Sequence, residues 1–510
     1  MCNTLTFAAV FSKISLKVMK KNLLSLVVFM MTSVSAMAGG ILTNTNQSIL
    51  FLKNPARDAA IGLDGVYSNP AGVAFMPEGF HIAFNWQYAH QTRTITSTNP
   101  AFALGKKNNG SPVKSFEGVA DAPFLPSLQG AYNKGNWSIQ LNLSVPGGGG
   151  SCEFADGLGS FESVVGNIAG MLRPLGAEGY DMTGYMKGRQ YYFGVQLGVA
   201  YKITPNLSVY GGLRMLYGDA TYKAKLSNIM VKTGEGYVDF GDFLQGATTT
   251  ITNGLDRVNA GIAQYEAADV PVPAELMAQR AQLEGSKNSV TQLQKYSSGV
   301  NLICNQDGVG FAPVIGVDYK LNNFNFSAKY EFKTQIRMKN ESTVDQASEI
   351  AAVNKFRDGE KVNEDAPALL TIGAQWKPID DVSINVGWHH YFDKQASWYN
   401  DTQELLSHNT NEYLAGVEWD ITKKLNVSLG GQLTRYGLTD EYMNDMSFVT
   451  NSYSIGFGFN YKVKENIMLS AAYFQTMYDN YDRNNYPTAG VSDSFTRTNR
   501  VLGLGVQVDF

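Results

Sequence analysis

Charge, histidine, cysteine and long apolar runs are all scarce in this chain, and each scarcity closes off a class of protein. Asp, Glu, Lys and Arg make up 17% of 510 residues, against about 25% in ordinary soluble domains. Lys+Arg number 41 and Asp+Glu 45, so no basic surplus points to nucleic acid and no acidic block points to disorder. The five histidines are His81, His90, His389, His390 and His408, and no Ser/His/Asp arrangement is recognisable around them, which leaves no catalytic residues to name. His389 and His390 are adjacent, and neighbours on a strand point to opposite faces. They therefore cannot jointly ligate haem or metal; no cofactor is expected, and haem handling by a single histidine stays as a minor alternative function. A mean hydropathy of -0.17 excludes a helical membrane bundle but not a membrane barrel, whose alternating strands average to mild hydropathy.

The apolar run Leu23 to Val34 falls short of the about 20 residues that a spanning helix needs. Lys20 and Lys21 precede it and Ala36-Met37-Ala38 follows, the layout of a cleaved secretory signal. Residues 1–38 are expected to be removed, with 1–18 an upstream extension if Met19 is the true start. Of the 3 cysteines, cleavage removes Cys2. In an oxidising compartment the remaining Cys152 and Cys304 are expected to form one disulfide between two loops.

What the chain does have is aromatic residues, at 12%, and glycine, at 51, set in a period of two from Phe80 onward. In "WSIQLNLSV", Trp137, Ile139, Leu141, Leu143 and Val145 share one face, while Ser138, Gln140, Asn142 and Ser144 share the other. "NFNFSAKYEFKTQIR" sets Phe324, Phe326, Ala328, Tyr330 and Phe332 against Asn325, Ser327, Lys329, Glu331 and Lys333. About 14 such segments follow one another, the first six at 80–91, 121–133, 136–146, 190–203, 206–224 and 309–321. Their connectors alternate strictly between very short and long, the pattern of an outer-membrane barrel with tight periplasmic turns and long extracellular loops. A β-sandwich has no reason to keep that parity. The fold class expected is therefore all-β: an about 14-stranded antiparallel transmembrane barrel over 79–510, with residues 39–78 as an N-terminal plug.

Trp376, Trp388, Trp398 and Trp419 lie near strand ends or connectors, as interfacial girdle residues would. The chain closes on Phe510 after Leu504, Val506 and Val508 in one phase, which resembles the signal that barrel-assembly machinery reads. Two loops carry helical periodicity: Phe161, Val164, Val165, Ile168, Met171 and Leu172 before Pro174, and the stretch from Gly254 to Tyr296, broken at "VPVPAEL". Such helices either pack on the rim or form an apolar landing groove.

The plug segment holds "GLDGVYSNPAGVAFM", with Asn69-Pro70-Ala71 preceded by Asp64; an earlier copy stands at Asn54-Pro55-Ala56. Together with the strand count, the long loops and the terminal Phe, this resembles the FadL-type transporters of hydrophobic compounds, a family that includes toluene and xylene uptake proteins. The resemblance implies uptake of a fatty acid, aromatic hydrocarbon or other apolar molecule by a monomer set among outer-membrane lipid and lipopolysaccharide. It also implies hatch movement and lateral exit near a kinked third strand, for which Pro146 to Gly150 is the candidate. A carboxylate ligand would need lumen cations, and phasing points Arg214, Lys329, Lys333 and Arg337 inward. An open diffusion porin would need no plug, and a TonB-dependent receptor would need more chain.

Overall fold

The computed structural model describes residues 48–343 and 351–510, so the signal-peptide segment lies outside them. Fourteen antiparallel strands close into a barrel. In chain order they are β1 (Gly79–Thr98), β2 (Val113–Lys134), β3 (Trp137–Phe154), β4 (Gly179–Lys202) and β5 (Leu207–Thr233). Then come β6 (Val300–Leu321), β7 (Phe324–Glu331, resuming as Arg337–Ser342), β8 (Leu369–Ile379), β9 (Val382–Tyr391) and β10 (Thr410–Asp420). The wall is completed by β11 (Leu425–Arg435), β12 (Ser452–Lys464), β13 (Ile467–Tyr478) and β14 (Ser492–Asp509). β1 pairs with β14 from His81↔Asp509 to Thr98↔Ser492, which closes the sheet. Phe510 extends the seam, accepting from the Phe80 N–H at 3.2 Å and donating to the Phe80 carbonyl at 2.8 Å.

The alternation sorts side chains as expected. Phe84, Trp137, Leu197, Leu213, Leu429 and Leu504 stand exposed on the outside, an apolar belt that only lipid would cover. Ser138, Gln140, Asn142, Gln196 and Ser208 face inward and are buried. Helices α1 (Ile49–Lys53), α2 (Gly159–Met171), α3 (Phe240–Ala267) and α4 (Ala274–Gln294) lie outside the wall sequence, the last three in long loops. The break between α3 and α4 falls at the two prolines of "VPVPAEL".

Several expectations need correction. The early strands run further at their long-loop ends, β5 to Thr233 and β6 from Val300. There the outer face carries residues such as Lys223 and Lys225, both exposed, so this part of the wall stands clear of lipid and loses the apolar alternation. Trp398 is no girdle residue: it is buried, and its indole N–H donates to the Asp365 carbonyl at 3.0 Å. β7 breaks between Glu331 and Arg337, and the phase slips, so that Thr334, Ile336 and Met338 face in while Arg337 faces out, exposed.

Cys152 and Cys304 are both free and buried, not bridged and not in loops. Cys152 lies on β3 and Cys304 on β6, with β4 and β5 between them. Successive strands are about 4.8 Å apart, which puts the pair beyond the about 7 Å that a disulfide can span. Both thiols of the mature protein should therefore label fully after denaturation without reductant, and slowly before it. A denatured, unreduced sample that takes up no label would restore the bridge.

Candidate functional site

Residues 48–78 sit inside the barrel toward its short-turn end. Ser48 caps α1, its Oγ accepting from the Leu50 N–H at 3.2 Å, and Ile49 and Leu52 of α1 pack against Phe474 and Val501 of the wall. The wall yields space through missing Cβ atoms. A Cβ at Gly456 would stand 2.0 Å from the Leu52 carbonyl oxygen, and one at Gly416 would stand 2.0 Å from Asn54 Oδ1. These are glycines of close backbone approach.

The asparagine of each Asn-Pro-Ala copy accepts from a backbone N–H just ahead of it, two residues on in the first copy and three in the second, and donates to a wall carboxylate. In the first, Asn54 Oδ1 accepts from the Ala56 N–H at 3.2 Å while its Nδ2 donates to Glu418 of β10 at 3.1 Å. In the second, Asn69 Oδ1 accepts from the Gly72 N–H at 3.2 Å while its Nδ2 donates to Asp318 of β6 at 2.6 Å. Each asparagine thus closes its own turn and reaches a wall carboxylate. Pro70 and Ala71 contribute backbone acceptors, Pro70 O to Gln140 at 2.8 Å and Ala71 O to the Ser208 hydroxyl at 2.7 Å. The Ala71 side chain packs with Ala74, Ala200, Tyr210 and Val314.

Charges tie the plug down further. Arg57 donates to both oxygens of Asp64, at 2.7 and 3.0 Å, and to Glu418. Burial alone would lower the pKa of this guanidinium; Asp64 and Glu418 outweigh it and raise the value. Asp58 meets His389 Nε2 at 2.9 Å, and His389 Nδ1 meets Glu412 at 2.9 Å. With both ring nitrogens engaged by carboxylates, His389 has none left for haem or metal. His390 faces the other way, against Asn411 at 2.9 Å.

Of the four cations that phasing pointed inward, two come together. Lys329 lies 2.6 Å from Glu331 and donates to the Tyr67 carbonyl at 2.8 Å, and Arg214 pairs with the same Glu331. Lys333 instead bonds the Gln395 carbonyl at 3.0 Å near the loops, and Arg337 points outward. Lys329 and Glu331 share a face of one strand by phasing, whereas the pairing of Arg214 with Glu331 depends on how the strands are arranged and was invisible to it. Asn54, Arg57, Asp58 and Glu418 were missed as a group. The repeated Asn-Pro-Ala was the available signal.

The ladder between β2 and β3 is interrupted, as is that between β6 and β7 where β7 breaks. The β2–β3 ladder runs from Lys134↔Trp137 to Leu128↔Leu143 and resumes only at Ala120↔Cys152. Pro123 and Pro126 line one side and Pro146 the other, and none has an N–H to leave unpaired. The Pro123 carbonyl accepts from the Trp86 indole at 3.0 Å. Gly148 has φ +112, and a Cβ there would meet the Gln190 carbonyl oxygen at 2.4 Å, so the kink at "PGGGG" suits glycine alone.

Two cavities flank the plug. A polar one of about 820 Å³ opens at the short-turn end, lined by Arg57, Phe75, Lys320, Glu418, Lys424 and Lys462. An almost wholly apolar one of about 140 Å³ lies under the long loops, among Phe161 and Ile168 of α2, Ile229 and Val231 of β5, Phe240 of α3 and Leu302 of β6. Between it and the plug, the lumen is packed with Phe102, Phe116, Tyr192, Leu216, Trp398 and Phe495.

No family model and no curated protein sequence matches the chain. Among solved structures it is similar to a FadL homologue from Pseudomonas aeruginosa, at 12% identity and TM-score 0.59, over 92% of this chain and 99% of that one. It is also similar to the deltaS2S3 mutant of TodX, a monoaromatic hydrocarbon channel, at 13% identity and TM-score 0.53, over 92% and 100%. The chain has the fold of the FadL-type channels. Within that fold, a luminal plug and a broken β2–β3 ladder occupy one barrel.

Replacing Gly456 with Ala forces the plug backbone to move, because the new Cβ meets a carbonyl rather than a flexible side chain. The expected cost to plug docking is about 1–3 kcal/mol, seen as opening events in planar bilayers that the parent lacks. A conductance trace identical to the parent's would mean that the wall gives way instead.

Proposed function

We propose that this protein is an outer-membrane channel for the uptake of hydrophobic small molecules, not an enzyme and not an open diffusion porin. On this reading residues 1–38 are removed on export, the barrel-assembly machinery reads the terminal strand, and a monomer works with residues 39–78 as its hatch. The ligand enters the apolar cavity beneath α2 and α3 and moves inward along the aromatic lumen. It leaves sideways through the β2–β3 interruption into the lipid belt. The single observation that carries the proposal is that interruption, which has prolines on both of its strands and lies beside the plugged lumen. The structural neighbours, a FadL homologue and a monoaromatic hydrocarbon channel, support it.

Lateral exit has a physical rationale. An apolar molecule that stays in the hydrocarbon layer keeps its transfer free energy, about 25 cal/mol per Å² of buried surface, whereas release into the polar short-turn cavity forfeits it. Backbone left unpaired in lipid costs several kcal/mol per group, so a broken ladder is not a neutral accident of folding. Its prolines and the Trp86 bond reduce that cost.

Ser127 and Ser144 are buried on the lumen side at the short-turn edge of the interruption. Replacing both with Trp should block it from within. Uptake of a radiolabelled long-chain fatty acid or an alkylbenzene by cells that lack another such channel should fall at least tenfold, with surface amount and heat-modifiable migration of the barrel unchanged. Uptake at the parental rate would rule out this exit. Failure of the parent to take up either probe would remove the function itself.

A further inference from the structure

A group of cations stands on the outside of the wall. After its break, β7 resumes with Arg337 and Lys339 exposed on the outer face, and the short strand Lys361–Asn363 pairs beside it. The register sets Lys361 directly opposite Lys339, and Asn363 directly opposite Arg337. Opposed residues hold their Cβ atoms about 4.5–5.5 Å apart, and like charges so placed are destabilising. Arg337, Lys339 and Lys361 therefore share one small block of outer surface with the Asn363 amide. Among the described residues, none of the three cations pairs with a carboxylate. Others on this band do: Lys187 pairs with Glu153 at 2.8 Å, and Arg189 pairs with Asp219. Asp307 and Glu341 border the block. Asp307 lies opposite Lys339 on one side but opposite Asp219 on the other, and Glu341 lies one step further from the lipid belt.

The level of the block is set by β6. Asp307 is the ladder partner of Lys339. Toward the short turns, Val309 and Phe311 follow on the same outer face, 51% and 57% exposed. Toward the long loops, that face turns to Asn305 and Asn301, also exposed. The cations thus sit at the upper edge of the apolar belt, where acyl chains give way to head groups. Directly below them the β6–β7 ladder is broken, between Asp307↔Lys339 and Val314↔Glu331.

We propose that Arg337, Lys339 and Lys361 bind a phosphate on the head group of lipopolysaccharide, the glycolipid of the outer leaflet, whose acyl chains lie along Val309 and Phe311 and cover the broken ladder. The inference depends on the barrel standing in an outer membrane, and not on what its lumen carries. A phosphate relieves the Lys339–Lys361 repulsion and offers several oxygens to the guanidinium fork and the two ammonium groups. A zwitterionic phospholipid would bring a cation of its own into the same block. Free phosphate would satisfy the charges but has no use for the apolar shelf beneath them.

The test uses the full-length mature protein, delipidated in detergent micelles, with bound lipid counted by native mass spectrometry. The probes are lipid A, the same lipid with its phosphates removed, and inorganic phosphate as a competitor. Each cation near a charged head-group layer is worth about fivefold in binding, so the parent should hold lipid A at least about tenfold more tightly than the dephosphorylated form. Arg337→Gln/Lys339→Gln/Lys361→Gln should bind both lipids alike, with heat-modifiable migration unchanged. Lys134→Gln/Lys464→Gln, which removes exposed charges at the short-turn end, should keep the preference. If the triple variant does not assemble, Lys361→Gln alone, outside the fourteen wall strands, should lower the preference about fivefold. A preference that survives these changes, or that the parent lacks, overturns the site. Displacement of lipid A by millimolar phosphate would make the block a free-anion site and overturn the lipid as its occupant.

Discussion

The structure depends on one constraint: in hydrocarbon every backbone N–H and C=O needs a partner within the protein. A sheet can meet that demand only by closing on itself, and the β1–β14 seam, continued through Phe80 and Phe510, is where it does so. Alternation, glycine content and aromatic belt all follow, because each strand must offer lipid one face and the lumen the other. The β2–β3 interruption is informative because it departs from this constraint. It is also where the sequence places prolines, which have fewer backbone groups to satisfy.

The constraint explains what could be read from the sequence. Where a strand touches lipid, its outer residues are forced to be apolar, and the period of two shows plainly. Where β5 rises past the membrane and turns Lys223 and Lys225 outward, that force vanishes and strand looks like loop. Extrapolated phase fails for a related reason. Arg337 was placed inward by counting in twos from Lys329, but the break after Glu331 shifts the count. The cysteines were assigned from compartment and loop position, and the second premise gave way once their segments proved to be wall strands separated by two others.

Contacts between distant parts of the chain left weaker traces. Arg93 lies within "QTRTIT" and Arg497 within "FTRTNR", neither of which tells that the two arginines are ladder partners. Only the closing register sets them opposite one another. The plug was legible because Asn-Pro-Ala is a local signal for a tight turn. Its partners Glu418 and Asp318 were not, since a lone carboxylate on a strand looks the same whether it faces a plug, an ion or water. The wall glycines belong to this group as well. Gly456 and Gly416 look like ordinary strand glycines until the plug atoms that fill their missing side chains are in view.

The two Asn-Pro-Ala turns give the plug an arrangement that one could not. Asn54 binds β10 and Asn69 binds β6, and between them Asn325, Ser327 and Lys329 of β7 and His389 of β9 hold further plug atoms. The short connection between the turns carries Arg57, Asp58 and Asp64. Of these, Asp64 pairs within the plug, Asp58 reaches the wall at His389, and Arg57 spans both by holding Asp64 and Glu418. Loss of the Asn69–Asp318 bond would leave the Glu418 arc intact, along with the ion pair that depends on it. With Asn133, Gln140, Gln196 and Ser208 bonded to the carbonyls of Val73, Pro70, Val66 and Ala71, the plug is fastened around most of the wall, and no single bond decides whether it stays seated.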